Sequence, residues 1–270
     1  MSSPSSFPRQ RAKKRFGQNF LADSNYAAKI VDIAEIKTGD IVVEIGPGHG
    51  AITRLLAEKD CTVYALEIDR DLQKILGETF SGTENVRIIA GDALDFDFVS
   101  LGEELGRPLK IVANLPYNVA TPILFRLLEA RCVIENMVLM FQKEVALRIA
   151  AKPGNKQFGA LSIFPQLYAD IRSELLLPPG AFKPAPKVYS SVLSFTILKR
   201  PRFYVSDELM LKKVVSSAFS QRRKKLINSL KKIDDSADLS SIFKGVGIDP
   251  SRRAETLSVE EFCLLANAFF

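Results

Sequence analysis

From residue 24 the chain alternates between short β-branched runs and stretches with helical spacing, a pattern that few folds accommodate. Residues 24–36 bring Ile30, Ile33 and Ile36 near one helical face. Residues 40–45 (DIVVEI) follow the turn signal Thr38-Gly39 and read as a strand buried on both faces. Residues 62–68, 86–90, 110–115 and 137–142 repeat that signature, with helix-compatible stretches between them. Serial βαβ units predict a parallel sheet covered by helices on both faces. Two further extended segments, near 171–177 and 190–198, predict an antiparallel hairpin at the sheet edge. After Lys199-Arg200-Pro201 the strands stop, and 207–219, 222–233 and 258–269 have helical spacing, the last opening on the capping-box pair Ser258 and Glu261. The expected organisation is an α/β domain over residues 1–200, with a basic arm at 1–17, and a small helical domain over 201–270.

Composition narrows the chemistry. Of the 270 residues 47% are hydrophobic and 25% charged, the balance of a globular chain with ample core material. The longest apolar runs, such as 137–141, fall far short of the ~18 residues that a membrane span requires. Residues 1–10 are rich in Ser and Pro without an apolar segment, which is unlike a secretory signal. Three separated cysteines (Cys61, Cys132, Cys263) and one histidine (His49) offer neither metal-ligand spacing nor a disulfide framework. The expectation is three buried thiols in a reducing cytoplasm, no metal, and chemistry that needs no histidine base.

The net charge of +6 is unevenly spread. Residues 1–20 carry five basic and no acidic side chains, and residues 199–232 carry eleven basic and two acidic. These segments hold +14, so the other 216 residues hold −8. Two basic segments on an acidic body fit a polyanion gripped from two sides, or a solvated tail and a solvated helix.

Four loops at predicted strand ends carry the functional signal. Glu44-Ile45-Gly46-Pro47-Gly48-His49-Gly50 lets the backbone turn tightly beneath a ligand, and it also fits a dinucleotide fingerprint. Glu67 ends the next strand, where a carboxylate accepts from ribose hydroxyls; nicotinamide and S-adenosylmethionine sites share this feature. Asp92, in Gly91-Asp92-Ala93, is placed to accept from an adenine amino group. Asn114-Leu115-Pro116-Tyr117 separates the two readings, because hydride transfer has no use for it and methylation of a base amine does. Adenine N6 is a poor nucleophile, its lone pair being delocalised into the ring. The Asn114 side-chain carbonyl and the Leu115 main-chain carbonyl can bind its two hydrogens and favour the pyramidal amine. Pro116 stiffens the turn and Tyr117 offers a stacking face for an extruded base.

These loops, with Gln18-Asn19-Phe20-Leu21, Glu67-Ile68-Asp69 and Phe182-Lys183-Pro184-Ala185-Pro186-Lys187-Val188, occur in one order. Together they resemble the small-subunit ribosomal RNA adenine-N6,N6-dimethyltransferase family, from about Arg15 to the C-terminus. The resemblance implies a Rossmann-like S-adenosylmethionine-dependent domain with a mostly parallel seven-stranded sheet and a small C-terminal helical domain. It implies dimethylation of two adjacent adenosines in the 3′-terminal hairpin of that RNA, by a monomeric cytoplasmic enzyme whose partner is the assembling small subunit. Carried over by position, Asn19 and Leu21 belong to the cofactor lid, Gly46 contacts the cofactor, Glu67 holds its ribose and Asp92 its adenine, while Asn114 serves cofactor and target. Phe182 stands as a second aromatic wall opposite Tyr117; on its residues alone it reads equally as a core anchor. His49 receives no role.

Arg222, Arg223, Lys224 and Lys225 are the expected RNA contacts. Lys224, Lys225, Lys231 and Lys232 fall away from the Leu226, Leu230, Ile233 stripe, whereas Arg222 and Arg223 fall beside it. Either the helix begins after these arginines or they face the cleft between the domains. Two rivals stay in view, a large-subunit rRNA methylase of the macrolide-resistance type and a non-catalytic assembly factor on the same fold; a nicotinamide oxidoreductase fails on the acceptor loop and on the basic helical domain.

Overall fold

The computed structural model describes residues 18–221, 224–233 and 238–269. In chain order its elements are β1 (Phe20–Leu21), α1 (Ser24–Ile33), β2 (Asp40–Ile45), α2 (Ala51–Ala57), β3 (Cys61–Glu67), α3 (Arg70–Thr79), β4 (Val86–Ala90), α4 (Phe98–Leu105), β5 (Leu109–Asn114), α5 (Ala120–Glu129), β6 (Ile134–Gln142), α6 (Lys143–Ile149), α7 (Ala160–Tyr168), β7 (Ala169–Leu177), β8 (Phe182–Lys183), β9 (Ser190–Ile197), α8 (Glu208–Phe219), α9 (Leu226–Leu230), α10 (Leu239–Val246) and α11 (Val259–Asn267).

The expected strands form within one or two residues of their ends, apart from β6, which starts three residues earlier. They build one seven-stranded sheet in the order β4-β3-β2-β5-β6-β9-β7. The strands β4, β3, β2, β5 and β6 pair in parallel, with Val42 opposite Val63 on one side and Lys110 on the other. Chain order reverses between β2 and β5, the switch point beside which open α/β sheets bind ligands. The two late strands β9 and β7 extend the far end as neighbours, and Ser191 Oγ donates to the Leu175 carbonyl at 3.1 Å.

Lys110 is an unusual occupant of a central strand. It is buried, and its ammonium meets Asp40 at 2.8 Å and the Glu35 carbonyl at 2.7 Å. Burial alone would raise the Asp40 carboxyl; the Lys110 hydrogen bond and charge, with the Lys37 amide, hold it below its ordinary value instead.

Among the described residues, those up to Gln142 together with Glu174–Val192 form one compact unit, and Lys143–Ser173 with Leu193 onward form a second. The expected boundary at residue 200 marks where strands stop, whereas packing gathers α6 and α7 with the C-terminal helices. Within that second unit Phe219 packs between Phe158 and Phe262, at ring-centroid distances of 6.4 and 5.5 Å. The Ser258–Glu261 capping box closes as expected, with Glu261 also paired to Arg252.

Three expectations are corrected. The helix expected over 222–233 is limited among the described residues to Leu226–Leu230, because Leu226 and Ile227 donate their amides to the Arg252 and Pro250 carbonyls. The first helix ends at Ile33, followed by Glu35 at φ 46°. Cys61 and Cys263 are buried, but Cys132 is exposed after α5. No helix among the described residues is long and apolar enough to cross a membrane.

Candidate active site

The carboxyl ends of β2, β3, β4 and β5 converge on an open cavity of about 290 Å³. Gly46 and Gly48 line it from the loop after β2, Glu67 from the end of β3, Asp92 after β4, and Asn114, Leu115, Pro116 and Tyr117 from the end of β5. Gln18, Asn19 and Phe20 cover it from the strap that contains β1. Gly46, Gly48 and Gly50 all take left-handed φ values, +69°, +59° and +78°. A Cβ at Gly48 would also meet the Phe20 ring at 2.8 Å, so glycine is what lets the strap lie down on the loop. His49 packs its ring against Phe20, with centroids 4.4 Å apart.

Glu67 accepts from the Asp69 amide at 2.9 Å and the Gly48 amide at 3.3 Å. Burial raises its carboxyl above the ordinary value, tempered by those amides. Asp92 accepts from the Leu94 amide at 2.9 Å. Asn114 donates through Nδ2 to the Asn19 carbonyl at 3.0 Å, which leaves Oδ1 as the amide's available acceptor. The Tyr117 hydroxyl lies 2.6 Å from Ser190 Oγ, and burial raises the phenol above its ordinary value, so the hydroxyl stays neutral.

Most of the residues expected at the site are brought together here; two are not. Phe182 is only 2% exposed and packs in the core with Leu21, Ile30, Val42 and Val138. As a wall opposite Tyr117 it would need a free face. The β1–β8 pairing denies it one, placing Phe182 opposite Leu21. The core-anchor alternative describes it. Leu21 is likewise buried, edging only a cavity of about 20 Å³ beneath the strap. Lys224 and Lys225 are exposed in the other unit, and Arg222 and Arg223 lie outside the described residues.

Glu44 was missed as a functional candidate in its own right. It is 1% exposed, edges that small cavity, and its Oε2 has no hydrogen-bond partner. Burial pushes its carboxyl up to about 8, the Glu67 charge adding to the rise; neighbouring Thr53, its own hydroxyl unpaired by distance and angle, tempers it. The available signal was an acidic residue inside a β-branched run buried on both faces.

Among the described residues the lining carries two carboxyls, Glu67 and Asp92, and neither lysine nor arginine. Two carboxylate acceptors suit the ribose hydroxyls and the adenine amine of a nucleoside ligand. S-Adenosylmethionine, an adenosine bearing a sulfonium and an ammonium, fits these residues.

The sheet order and the loops at its switch point define a Rossmann-like methyltransferase. The fold is similar to that of a solved dimethyladenosine transferase from Plasmodium falciparum, with TM-score 0.76 and 23% identity over 91% of this chain and 95% of that one. It is also similar to a solved 23S rRNA methyltransferase, with TM-score 0.71 and 24% identity over 93% and 99%. A family model described as ribosomal RNA adenine dimethylase matches residues 9–269, and the chain belongs to that family. Two sequence relatives are each named ribosomal RNA small subunit methyltransferase A. The one from Geobacter metallireducens is 44% identical, covering 96% of this chain and 95% of its own. The one from Magnetococcus marinus is 47% identical, covering 94% and 90%.

Proposed function

We propose that this chain methylates N6 of two adjacent adenosines in the 3′-terminal hairpin of small-subunit ribosomal RNA, giving N6,N6-dimethyladenosine during ribosome biogenesis. The observation that carries the reading is the Asn114-Leu115-Pro116-Tyr117 loop on the same cavity as the glycine loop, Glu67 and Asp92.

Gly46 gives the cofactor close backbone approach, Glu67 accepts from its ribose, Asp92 from its adenine amine, and Asn19 with Leu21 belongs to the strap over it. S-Adenosylmethionine supplies an electrophilic methyl on sulfur, which departs as a neutral thioether. The Asn114 Oδ1 and the Leu115 carbonyl accept the two N6 hydrogens, so the lone pair localises on nitrogen and faces the methyl. Tyr117 presents its ring to the flipped base and Pro116 stiffens the turn. After transfer the nitrogen carries a surplus proton, which water removes, so no strong base is required. In the second methylation the one remaining N6 hydrogen binds one of these acceptors, the first methyl takes the place of the other hydrogen, and the last proton again leaves to water.

Residues 201–270, with Arg222, Arg223, Lys224 and Lys225, serve as the RNA-gripping part, aided by the basic arm at 1–17. In this reading the chain acts as a monomer. Ribosomal RNA as substrate supports a cytoplasmic setting, with the assembling small subunit as partner.

The test is transfer from labelled S-adenosylmethionine to unmodified small-subunit particles and, in parallel, to large-subunit RNA, followed by nucleoside analysis. Dimethyladenosine in the small-subunit sample only, lost in Asn114→Ala, is the expected result. Label confined to large-subunit RNA moves the assignment to the resistance-type rival; tight particle binding without transfer makes the protein an assembly factor.

A further inference from the structure

The segment that begins at Phe182 reaches the cavity through its other end. Ser190, the first residue of β9, is fully buried, and its Oγ sits 2.6 Å from the hydroxyl of Tyr117, 73 residues earlier in the chain. Both hydroxyls belong to the same compact unit. A hydrogen bond at the para position of a tyrosine fixes where the far end of the ring lies, and so its χ1, which is the freedom a stacking platform must lose.

This bond closes a circuit. The acceptor loop is tied at its start by Asn114 Nδ2 to the Asn19 carbonyl, and at its end by Tyr117 to Ser190. The strap holding Asn19 and the segment ending at Ser190 are joined by the β1–β8 pairing, Phe20 opposite Lys183 and Leu21 opposite Phe182. The strap over the cofactor cavity and the ring beside the target base are therefore parts of one hydrogen-bonded loop. Phe182, buried at the joint, anchors it.

We infer that Ser190 is a positioning residue for the target base: through its hydrogen bond it holds the Tyr117 ring in place and links that ring to the strap over the cofactor. The inference rests on the proposed function, because it needs an adenine to stack on Tyr117. Ser190 touches no reactant. Its effect runs through Tyr117 alone, so removing either hydroxyl has the same consequence.

The experiment is a double-mutant cycle in the full chain with Ser190→Ala, Tyr117→Phe and the pair, measuring kcat and KM on unmodified small-subunit particles and cofactor affinity by calorimetry. Each single change is expected to lower kcat about tenfold, the scale of one lost hydrogen bond with its buried partner left unpaired. The pair should be no worse than either alone, and cofactor affinity should stay within about twofold, since neither hydroxyl is assigned to the cofactor. Wild-type kcat in Ser190→Ala, or losses that add in the pair, overturns the inference. Should Ser190→Ala fail to fold, wild-type kcat in Tyr117→Phe overturns it as well. Wild-type protein that methylates no small-subunit particle brings down the proposed function itself, a distinct outcome from an active enzyme indifferent to Ser190.

Discussion

Asn114 and Asn19, 95 residues apart, are joined by a 3.0 Å hydrogen bond from the Asn114 side-chain nitrogen to the Asn19 main-chain carbonyl. This bond selects the orientation of the Asn114 amide. With the nitrogen committed to the strap, the oxygen is the atom left for an incoming amine, so the strap sets the polarity of the acceptor loop.

Asn114→Asp tests that orientation. The carboxylate keeps an acceptor but loses the donor, and places negative charge against the Asn19 carbonyl. Transfer to small-subunit particles should fall by about 10²–10³-fold, the scale seen when one aligned polar group is removed from a reacting centre. Activity near wild type would mean that the amide donor has no part in setting the loop.

Glu44 should give stability a pH dependence. Its carboxyl ionises at about 8 in the folded chain against 4.5 ordinarily, so between those values the folded state keeps a proton that unfolding releases. The Glu44 contribution to stability is therefore full below 4.5 and declines as pH rises toward 8. Glu67, also raised, contributes in the same direction in any Glu44 variant. Glu44→Gln should thus lose less melting temperature than wild type as pH rises through this window. Parallel melting curves across pH for the two proteins would show the decline to have another source.

Two glycines in helices should respond oppositely to alanine. In α4 a Cβ at Gly102 would stand 2.5 Å from Val133 Cβ, whereas at Gly77 in α3 it would meet nothing within 4 Å. Alanine gains about 1 kcal/mol over glycine in a helix, and overpacking costs about 1–3 kcal/mol. Gly77→Ala should raise the melting temperature and Gly102→Ala lower it, by a few degrees each. Thermal melts that move together would show that α4 yields freely to the added methyl.

The basic cluster is tested by salt. Lys224 and Lys225 are exposed, and alanine at these two together with Arg222 and Arg223 should weaken RNA binding. It should also flatten the plot of log affinity against log salt by about 0.9 for each duplex phosphate no longer neutralised. Cofactor affinity should not change. A salt slope equal to that of wild type would remove these residues from the RNA interface.

Much of this protein was legible locally. The β-branched runs placed β2, β3, β4 and β5 within a residue of their observed ends, because burial on both faces leaves a continuous apolar signature in β2, β3 and β5, and the edge strand β4 keeps its β-branched residues. The four loops at their carboxyl ends were legible too, since a parallel sheet delivers every such loop to one edge. By contrast, Phe182 before its prolines read as well for a stacking wall as for a core anchor, and only its pairing with Leu21, far back in the chain, decides for the core. The same holds for Glu44, whose unpaired oxygen depends on what surrounds β2, and for α6 and α7, which pack with helices far down the chain.

By itself the sequence determined the elements, their order and the set of chemical groups at the sheet edge, because propensity and side-chain period act over a few residues. Only the tertiary structure decided which amide faces which carbonyl, which aromatic is buried, and that Ser190 meets Tyr117. Those pairings follow from strand order and register, which the burial of the whole core selects and no short stretch of chain encodes.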